Sequence, residues 1–302
     1  MKLAAKGVRV RMGHFGKLLT AMVTPFDING NIDFQKTSTL IDYLINHGTD
    51  ALVVAGTTGE SPTLSYEEKI ALIKHTVKEV AGRVPVIAGT GSNNTAASIK
   101  LTKQAEESGA DAIMLVVPYY NKPSQEGLYQ HFKAIAESTK LPIMLYNVPG
   151  RSVVNLDVDT VVRLSELPNI VAIKEASGNL DAMAEMISKT KDEFVLYSGD
   201  DALTLPILSI GGVGVVSVAS HIIGKEMQAM ISSFVEGDYL SAAKQHQKLL
   251  PIIKQLFTAP NPVPVKTALQ IRGLDVGSVR LPLIPLTNEE RNQLTKIIDN
   301  HL

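Results

Sequence analysis

A lysine at the end of an apolar segment is the side chain of this sequence best suited to covalent chemistry. Lys174 follows the β-branched run 170–173 and precedes the small residues 176–178, a pattern that predicts a buried strand leading into a loop. If the amine is kept from water, its pKa falls below the usual ~10.4, and the neutral amine is a nucleophile for carbonyl carbon. Taken alone, such a residue is more often a strand-end lysine whose amine reaches solvent.

Other polar side chains stand directly after other strand-like segments. They include two threonines in a glycine loop, a tyrosine pair, a further tyrosine and an arginine. An amine that attacks a ketone, hydroxyl groups that move protons and a guanidinium that binds a carboxylate suit imine chemistry. These residues are Thr57, Thr58, Tyr119, Tyr120, Tyr146 and Arg151.

Each of these residues has a structural alternative. The tyrosine pair could cover one end of the fold, the threonines could cap a helix, and Arg151 could be a solvated loop charge. Asp200 and Asp201 precede an apolar run and are predicted to cap a helix N-terminus rather than to catalyse. Glu175 is expected on the side of its strand opposite Lys174, with a structural role.

Eight short apolar segments recur along the first two-thirds of the chain, and helical segments separate the earlier ones. Most are continuous rather than alternating, which is typical of buried parallel strands. The pattern predicts an α/β fold, a (β/α)8 TIM barrel with a C-terminal helical extension, whose active site lies at the C-terminal ends of the strands. The predicted strands are Leu18–Val23, Ala51–Ala55, Val84–Ala88, Ala112–Val117, Pro142–Tyr146, Ile170–Ile173, Phe194–Tyr197 and Gly214–Val218.

Three regions are expected along the chain. Residues 1–11 are predicted to be an extension with no part in the fold, and residues 12–223 to form the catalytic barrel. Residues 224–302 are predicted to be a helical region, because the pattern after the eighth strand is amphipathic and is broken by the proline-rich segment 260–264.

The composition narrows the classes of function. The 302 residues carry a formal net charge of −1, include seven histidines and contain no cysteine. Disulfides and thiolate chemistry are therefore excluded, and the charge gives no electrostatic basis for binding nucleic acid or an anionic membrane. No apolar stretch is long enough to span a bilayer, and the N-terminus lacks the apolar core of a signal peptide. We predict a cytoplasmic protein without a metal or another cofactor.

Three motifs in combination resemble a known superfamily. They are Gly56-Thr57-Thr58-Gly59-Glu60-Ser61, Tyr146-Asn147-Val148-Pro149 followed by Arg151, and Lys174 before Glu175. This combination resembles the class I aldolase and lyase superfamily and, within it, the dihydrodipicolinate synthase family. The resemblance runs from about Gly16 to the C-terminus.

The resemblance implies the condensation of pyruvate with L-aspartate 4-semialdehyde, a step toward diaminopimelate and lysine. Lys174 would form a Schiff base with pyruvate. Tyr146, Thr58 and Tyr120 would form a proton relay, with Tyr120 reaching into the site of a neighbouring subunit. The resemblance also implies a homo-oligomer, expected to be a tetramer made of two tight dimers.

The same resemblance assigns the substrate contacts. Arg151 would bind the carboxylate of the semialdehyde, and Thr57 and Thr58 would hold the pyruvate carboxylate. The backbone at Gly199 and Val216 would line the pocket.

Three positions bear on regulation. Within the resemblance, relatives that lysine inhibits carry histidines at the positions of Tyr66 and Lys69 and a glutamate at that of Ala97. The cationic amine of a lysine ligand would here lose its carboxylate partner and meet a like charge. We therefore predict weak or absent inhibition by lysine.

Two other functions remain open. One is the activity of N-acetylneuraminate lyases and 2-keto-3-deoxy sugar-acid aldolases, which share the threonine–glycine loop, Tyr146 and Lys174. Arg151 and the pair Tyr119-Tyr120 favour the condensation instead, since sugar acids need groups that bind hydroxyls. A non-catalytic barrel that binds a keto acid is disfavoured because Lys174 and its relay partners are all present.

Overall fold

The computed structural model describes residues 15–301, and its sheet is a closed barrel of eight parallel strands. The strands pair in sequence order, and the eighth pairs with the first. The predicted (β/α)8 fold class is therefore confirmed. The strands are β1 (Leu18–Ala21), β2 (Ala51–Val54), β3 (Val86–Gly89), β4 (Ala112–Val116), β5 (Ile143–Asn147), β6 (Ile170–Glu175), β7 (Val195–Ser198) and β8 (Gly214–Ser217).

One or two α-helices follow each of the first seven strands, and four more follow β8. Several begin at the residues expected from capping chemistry. In one capping box, the Ser65 side chain accepts a hydrogen bond from the Glu68 amide, and the Glu68 carboxylate accepts one from the Ser65 amide. The helices are α1 (Phe34–Asn46), α2 (Tyr66–Val80), α3 (Thr95–Glu107), α4 (Gln125–Ala136), α5 (Pro149–Ser152), α6 (Val158–Ser165), α7 (Leu180–Lys189), α8 (Thr204–Ser209), α9 (Ser220–Val235), α10 (Tyr239–Gln255), α11 (Val263–Ile271) and α12 (Asn288–His301).

Side chains alternate along each strand between two buried clusters, as the two-residue period of a strand requires. One cluster fills the barrel and includes Met144 and Ala172, while the other joins the strands to the surrounding helices. Tyr146 and Lys174 lie two residues beyond Met144 and Ala172, so both side chains point into the barrel. Glu175 therefore points the other way, as predicted.

The C-terminal helices continue from the barrel without a break in the chain. Helix α9 follows β8 directly and is kinked at Ile223, whose φ and ψ are −125° and 36°. The predicted boundary between residues 223 and 224 falls at this kink, inside one helix, so the division into regions remains a prediction. The predicted extension at residues 1–11 lies outside the described residues. Within residues 15–301, no helix is both long and apolar enough to cross a bilayer.

Candidate active site

Lys174 and Tyr146 are neighbours on adjacent strands inside the barrel. They occupy partner positions in the β5–β6 pairing, and the Lys174 amine lies 4.3 Å from the centroid of the Tyr146 ring. Lys174 is only 5% exposed. The snorkelling alternative is therefore wrong for this lysine, because its strand extends past it to Glu175 and keeps the amine inside the barrel.

The surroundings of Lys174 favour the neutral amine. Burial lowers the pKa of Lys174 from its usual 10.5 to about 8, because a charged amine loses hydration when it is removed from water. The carboxylate of Asp201 opposes this decrease of the pKa, and the guanidinium of Arg151 adds to it. A usable fraction of the amine is therefore nucleophilic near neutral pH.

Tyr146 is a buried phenol with two polar neighbours. Burial raises its pKa, while the charge of Arg151 and the side chain of Thr57 lower it. The other threonine is engaged elsewhere, since the Thr58 hydroxyl accepts a hydrogen bond of 2.9 Å from the Asn261 side-chain amide. The structure thus places Thr57 beside the phenol, and the relay role that the resemblance assigns to Thr58 remains a prediction.

A cavity of about 410 Å³ opens above Lys174, and we call it the lysine chamber. It brings together residues from the ends of five strands and from the C-terminal helices, as expected for a barrel active site. Its lining includes Thr57, Thr58, Tyr146, Val148, Arg151, Lys174, Ala176, Gly199, Asp200, Val218 and Asn261.

Gly199 is required by close packing in this chamber. A Cβ atom at Gly199 would lie 2.7 Å from the Cβ of Ala176 and 3.2 Å from the Cε of Lys174. Only glycine leaves room for the lysine side chain in its present position. Gly199 lines the chamber, and its part in binding pyruvate remains a prediction.

A second chamber of about 260 Å³ adjoins the first. The two share Thr57, Tyr146, Val148 and Arg151, so substrates in either one could reach the same groups. Lys69 and Tyr119 line only the second chamber. Lys69 therefore lines the same chamber as Arg151, and burial there lowers the pKa of its amine.

Two residues assigned from the resemblance do not line either chamber. Val216 is buried in the barrel cluster beside Leu19 of β1, and Val218, two residues farther along, lines the lysine chamber instead. Tyr120 is 88% exposed, with a left-handed φ of 71°. Its side chain is therefore exposed to solvent in this chain, away from both chambers.

Sequence reasoning missed two residues of the site. Asp201 was predicted to cap the helix that follows it, but its buried carboxylate accepts hydrogen bonds of 3.0 Å from the amides of Val218 and Ala219, ahead of α9. Asp200 caps the short helical turn Asp201–Leu203 through the Ala202 amide, as predicted. Asn261, which holds Thr58, was treated only as part of a helix breaker. Neither role has a local signal, because the partners are distant in the chain.

Glu175 has the structural role that was predicted. Its carboxylate accepts hydrogen bonds from the Asn147 side chain at 2.9 Å and from the Ser177 amide at 2.7 Å. These bonds tie the ends of β5 and β6 together just behind Tyr146 and Lys174, and so fix the relative position of the two residues.

Comparisons with known proteins agree with this architecture. The model of the dihydrodipicolinate synthetase family matches residues 14–301. The 4-hydroxy-tetrahydrodipicolinate synthase of Bacillus subtilis is 70% identical over 286 residues, which cover 94% of this chain and 99% of that protein. A second such synthase, number 1 of Halalkalibacterium halodurans, is 63% identical and covers 95% and 97% of the two chains.

Solved structures give the same relationship. A dihydrodipicolinate synthase from Bacillus anthracis superposes with a TM-score of 0.94 at 66% identity, covering 95% of this chain and 99% of that one. The enzyme from Cyanidioschyzon merolae with lysine bound gives a TM-score of 0.93 at 47% identity, with coverages of 95% and 99%. With a barrel, a buried lysine and a family match that spans nearly its whole length, the chain belongs to the dihydrodipicolinate synthetase family.

Proposed function

We propose that this chain condenses pyruvate with L-aspartate 4-semialdehyde through a Schiff base on Lys174, giving 4-hydroxy-tetrahydrodipicolinate. The observation that carries the proposal is the buried Lys174 amine, with a pKa of about 8, at the floor of a chamber that also holds a phenol and a guanidinium. The relatives named as synthases, at 60–70% identity, support the choice of substrates.

The amine begins the reaction. Neutral Lys174 adds to the keto carbon of pyruvate, and loss of water gives the imine. Removal of a methyl proton then gives an enamine, whose carbon attacks the aldehyde carbon of the second substrate while the aldehyde oxygen takes up a proton. The amino group of that substrate next attacks the imine carbon, closes the ring and releases Lys174 as the amine.

Proton transfer falls to Tyr146 and its hydroxyl neighbours. Because burial raises its pKa, Tyr146 is protonated near neutral pH and can donate a proton to the departing water. Thr57 is the hydroxyl best placed to exchange protons with it. Thr58, held by Asn261, is better suited to bind the pyruvate carboxylate than to relay protons.

Arg151 binds the carboxylate of the semialdehyde in this proposal. It lies in the short helix α5 after β5, lines both chambers and has no carboxylate partner among the described residues. A free guanidinium at the mouth of a cavity is a suitable bidentate site for a carboxylate.

We further propose that Tyr120 completes the site of a second subunit. Its side chain is 88% exposed and its backbone has a left-handed φ, as expected of a residue whose contacts are made with another subunit. Mixing a Lys174→Ala chain with a Tyr120→Phe chain tests this. In randomly mixed dimers, half are hybrids with one intact site of two, so activity returns to about a quarter of the wild type. If both variants are inactive alone and activity does not return on mixing, the tyrosine is not shared.

Weak inhibition by lysine remains a prediction of this proposal. Lys69 lines the second chamber and presents a positive charge there. A cationic ligand amine would be repelled at that position. Inhibition by lysine at low millimolar concentration would contradict the prediction, and Lys69→Gln is expected to increase any residual inhibition.

Trapping with borohydride tests the proposed function. After incubation with pyruvate and sodium borohydride, digestion and mass spectrometry should locate the adduct on Lys174. Lys266 is a matched internal control, since burial also lowers its pKa to about 8 but it lines neither chamber. An adduct together with turnover of the semialdehyde supports the proposal. An adduct with turnover of sugar acids instead would indicate a related lyase, and absence of the adduct would refute the mechanism.

A further inference from the structure

The loop that carries Thr57 and Thr58 has a backbone conformation that its own residues do not favour. Glu60 ends the loop with a left-handed φ of 56°, a region unfavourable for residues with a Cβ atom. Its amide donates to the Thr57 carbonyl at 3.0 Å. Such a conformation persists only where surrounding contacts hold it.

The contacts that hold the Glu60 carboxylate come from the C-terminal region. One carboxylate oxygen of Glu60 lies 2.6 Å from the Lys266 amine of α11, and the two side chains are 1% and 3% exposed. The other oxygen accepts a hydrogen bond of 2.9 Å from the Arg280 amide. The Lys266 amine also donates to the Ser278 carbonyl at 2.8 Å and lies 4.1 Å from the centroid of the Phe26 ring.

A second contact connects the same two parts of the molecule. Asn261, two residues before α11 begins, donates to the Thr58 hydroxyl. Since Lys266 lies on α11 itself, a displacement of this helix would move the partner of Thr58 and the partner of Glu60 together. Both contacts thus tie the threonine loop to the C-terminal helices, in addition to the hydrogen bond of 2.6 Å that its Gly59 carbonyl accepts from the Thr24 hydroxyl after β1.

Buried ion pairs are a poor source of net stability, because both charges lose hydration. Their better supported use is to select one arrangement among several, since a shifted partner leaves a buried charge unpaired. Neither Glu60 nor Lys266 lines a chamber, so any effect they have on substrates must pass through the loop.

We infer that Glu60 and Lys266 are positioning residues, whose ion pair sets the place of the Thr57 and Thr58 hydroxyls for the pyruvate carboxylate. The inference deepens the proposed function and rests on it for the identity of the ligand. It assigns to the C-terminal helical region a part in substrate binding that goes beyond the residues of that region, such as Asn261, that line the lysine chamber directly.

The test compares the pyruvate concentration at half-maximal trapping of Lys174 in four proteins: wild type, Glu60→Gln, Lys266→Met and the double variant. Lys266→Met should raise this concentration about 10- to 100-fold, the range expected when binding groups move by about 1 Å. At saturating pyruvate the adduct should still form, since Lys174 is untouched. The double variant should fall between Lys266→Met and the wild type, because it contains no unpaired buried charge.

Lys36→Met is the matched control. It removes an exposed ion pair of 2.6 Å to Asp275 in the same C-terminal segment, and the pyruvate dependence should stay at the wild-type value. Hydrogen exchange of the peptide that covers residues 56–61 gives a readout independent of chemistry. It should become faster in Lys266→Met and in the double variant, and stay at the wild-type rate in Lys36→Met.

Circular dichroism and thermal unfolding separate positioning from folding. If Lys266→Met does not fold, the double variant tests the positioning role instead. It lacks the same ion pair but contains no buried unpaired charge. Folded variants with the wild-type pyruvate dependence would overturn the positioning role, even if they unfold at lower temperature. Absence of an adduct in the wild type would instead refute the proposed function. Hydrogen exchange of the peptide that covers residues 56–61 would then be the only test of the positioning role.

Discussion

The pKa of Lys174 gives a prediction that can be followed quantitatively. With a pKa of about 8 rather than 10.5, the neutral fraction at pH 7 is about one in ten instead of about three in ten thousand, a gain of roughly 300-fold. The initial rate of imine formation at low pyruvate should therefore rise about tenfold per pH unit below pH 8 and level off above it.

Asp201→Asn perturbs this titration in a defined direction. The Asp201 carboxylate favours the charged amine, so its removal should lower the pKa of Lys174 further. The midpoint of the rate profile then moves to lower pH. The variant should react faster than the wild type at pH 6 and equally fast at pH 9, since the amine is already neutral there. Asparagine can still accept the hydrogen bonds from the Val218 and Ala219 amides, which should preserve the fold.

The assay is single-turnover borohydride trapping between pH 5.5 and 9.5, with the adduct measured by mass spectrometry. Asp200→Asn is the control, because this half-exposed neighbour caps its own helix and should leave the midpoint in place. Arg151→Gln should move the midpoint upward, since a like charge is removed. A wild-type midpoint near 10.5, or an upward move in Asp201→Asn, would refute the electrostatic reasoning.

Three further changes have expected outcomes. Gly199→Ala should reduce adduct formation at least about tenfold, because its Cβ would press on Lys174 at an overpacking cost of about 1–3 kcal/mol; Gly150→Ala, with no atom within 4 Å, should retain wild-type trapping. Burial lowers the pKa of His221 to about 4. As the pH falls, the histidine is therefore protonated in the unfolded state before it is protonated in the folded state, and the free energy of unfolding should decrease by up to about 3 kcal/mol between pH 6.5 and 4. Urea unfolding should show a smaller loss in His221→Gln, and equal losses would contradict the assignment. Thr57→Val should lower turnover by about 10²-fold or more while Tyr146 stays buried, and wild-type kcat in this variant would remove Thr57 from the relay.

The fold was predictable because its signals are local. Eight buried strands appear as continuous apolar runs, and every predicted run overlaps an observed strand with shifts of one or two residues at the ends. Shifts of this size arise because hydrogen bonds to neighbouring strands, rather than propensity, decide where pairing stops. One such shift mattered: β6 continues through Lys174 to Glu175, and the extra length holds the lysine inside the barrel.

The site was predictable only in part. A (β/α)8 pattern places the residues after each strand on one rim, which is why Lys174, Tyr146 and Arg151 could be grouped from the sequence alone, whereas Gly199 was assigned from the resemblance. The two adjacent threonines could not be told apart in this way. Their difference depends on which one meets Asn261, a residue 203 positions away.

What the sequence by itself determined is therefore the barrel, the rim and the chemical types gathered there, because strand period and chain order are local properties. The tertiary structure decided the rest: the desolvation that lowers the pKa of Lys174, the outward placement of Tyr120, and the ion pair between Glu60 and Lys266. These depend on distances between segments far apart in the chain, and burial and electrostatic interactions are set by such distances rather than by neighbours in sequence.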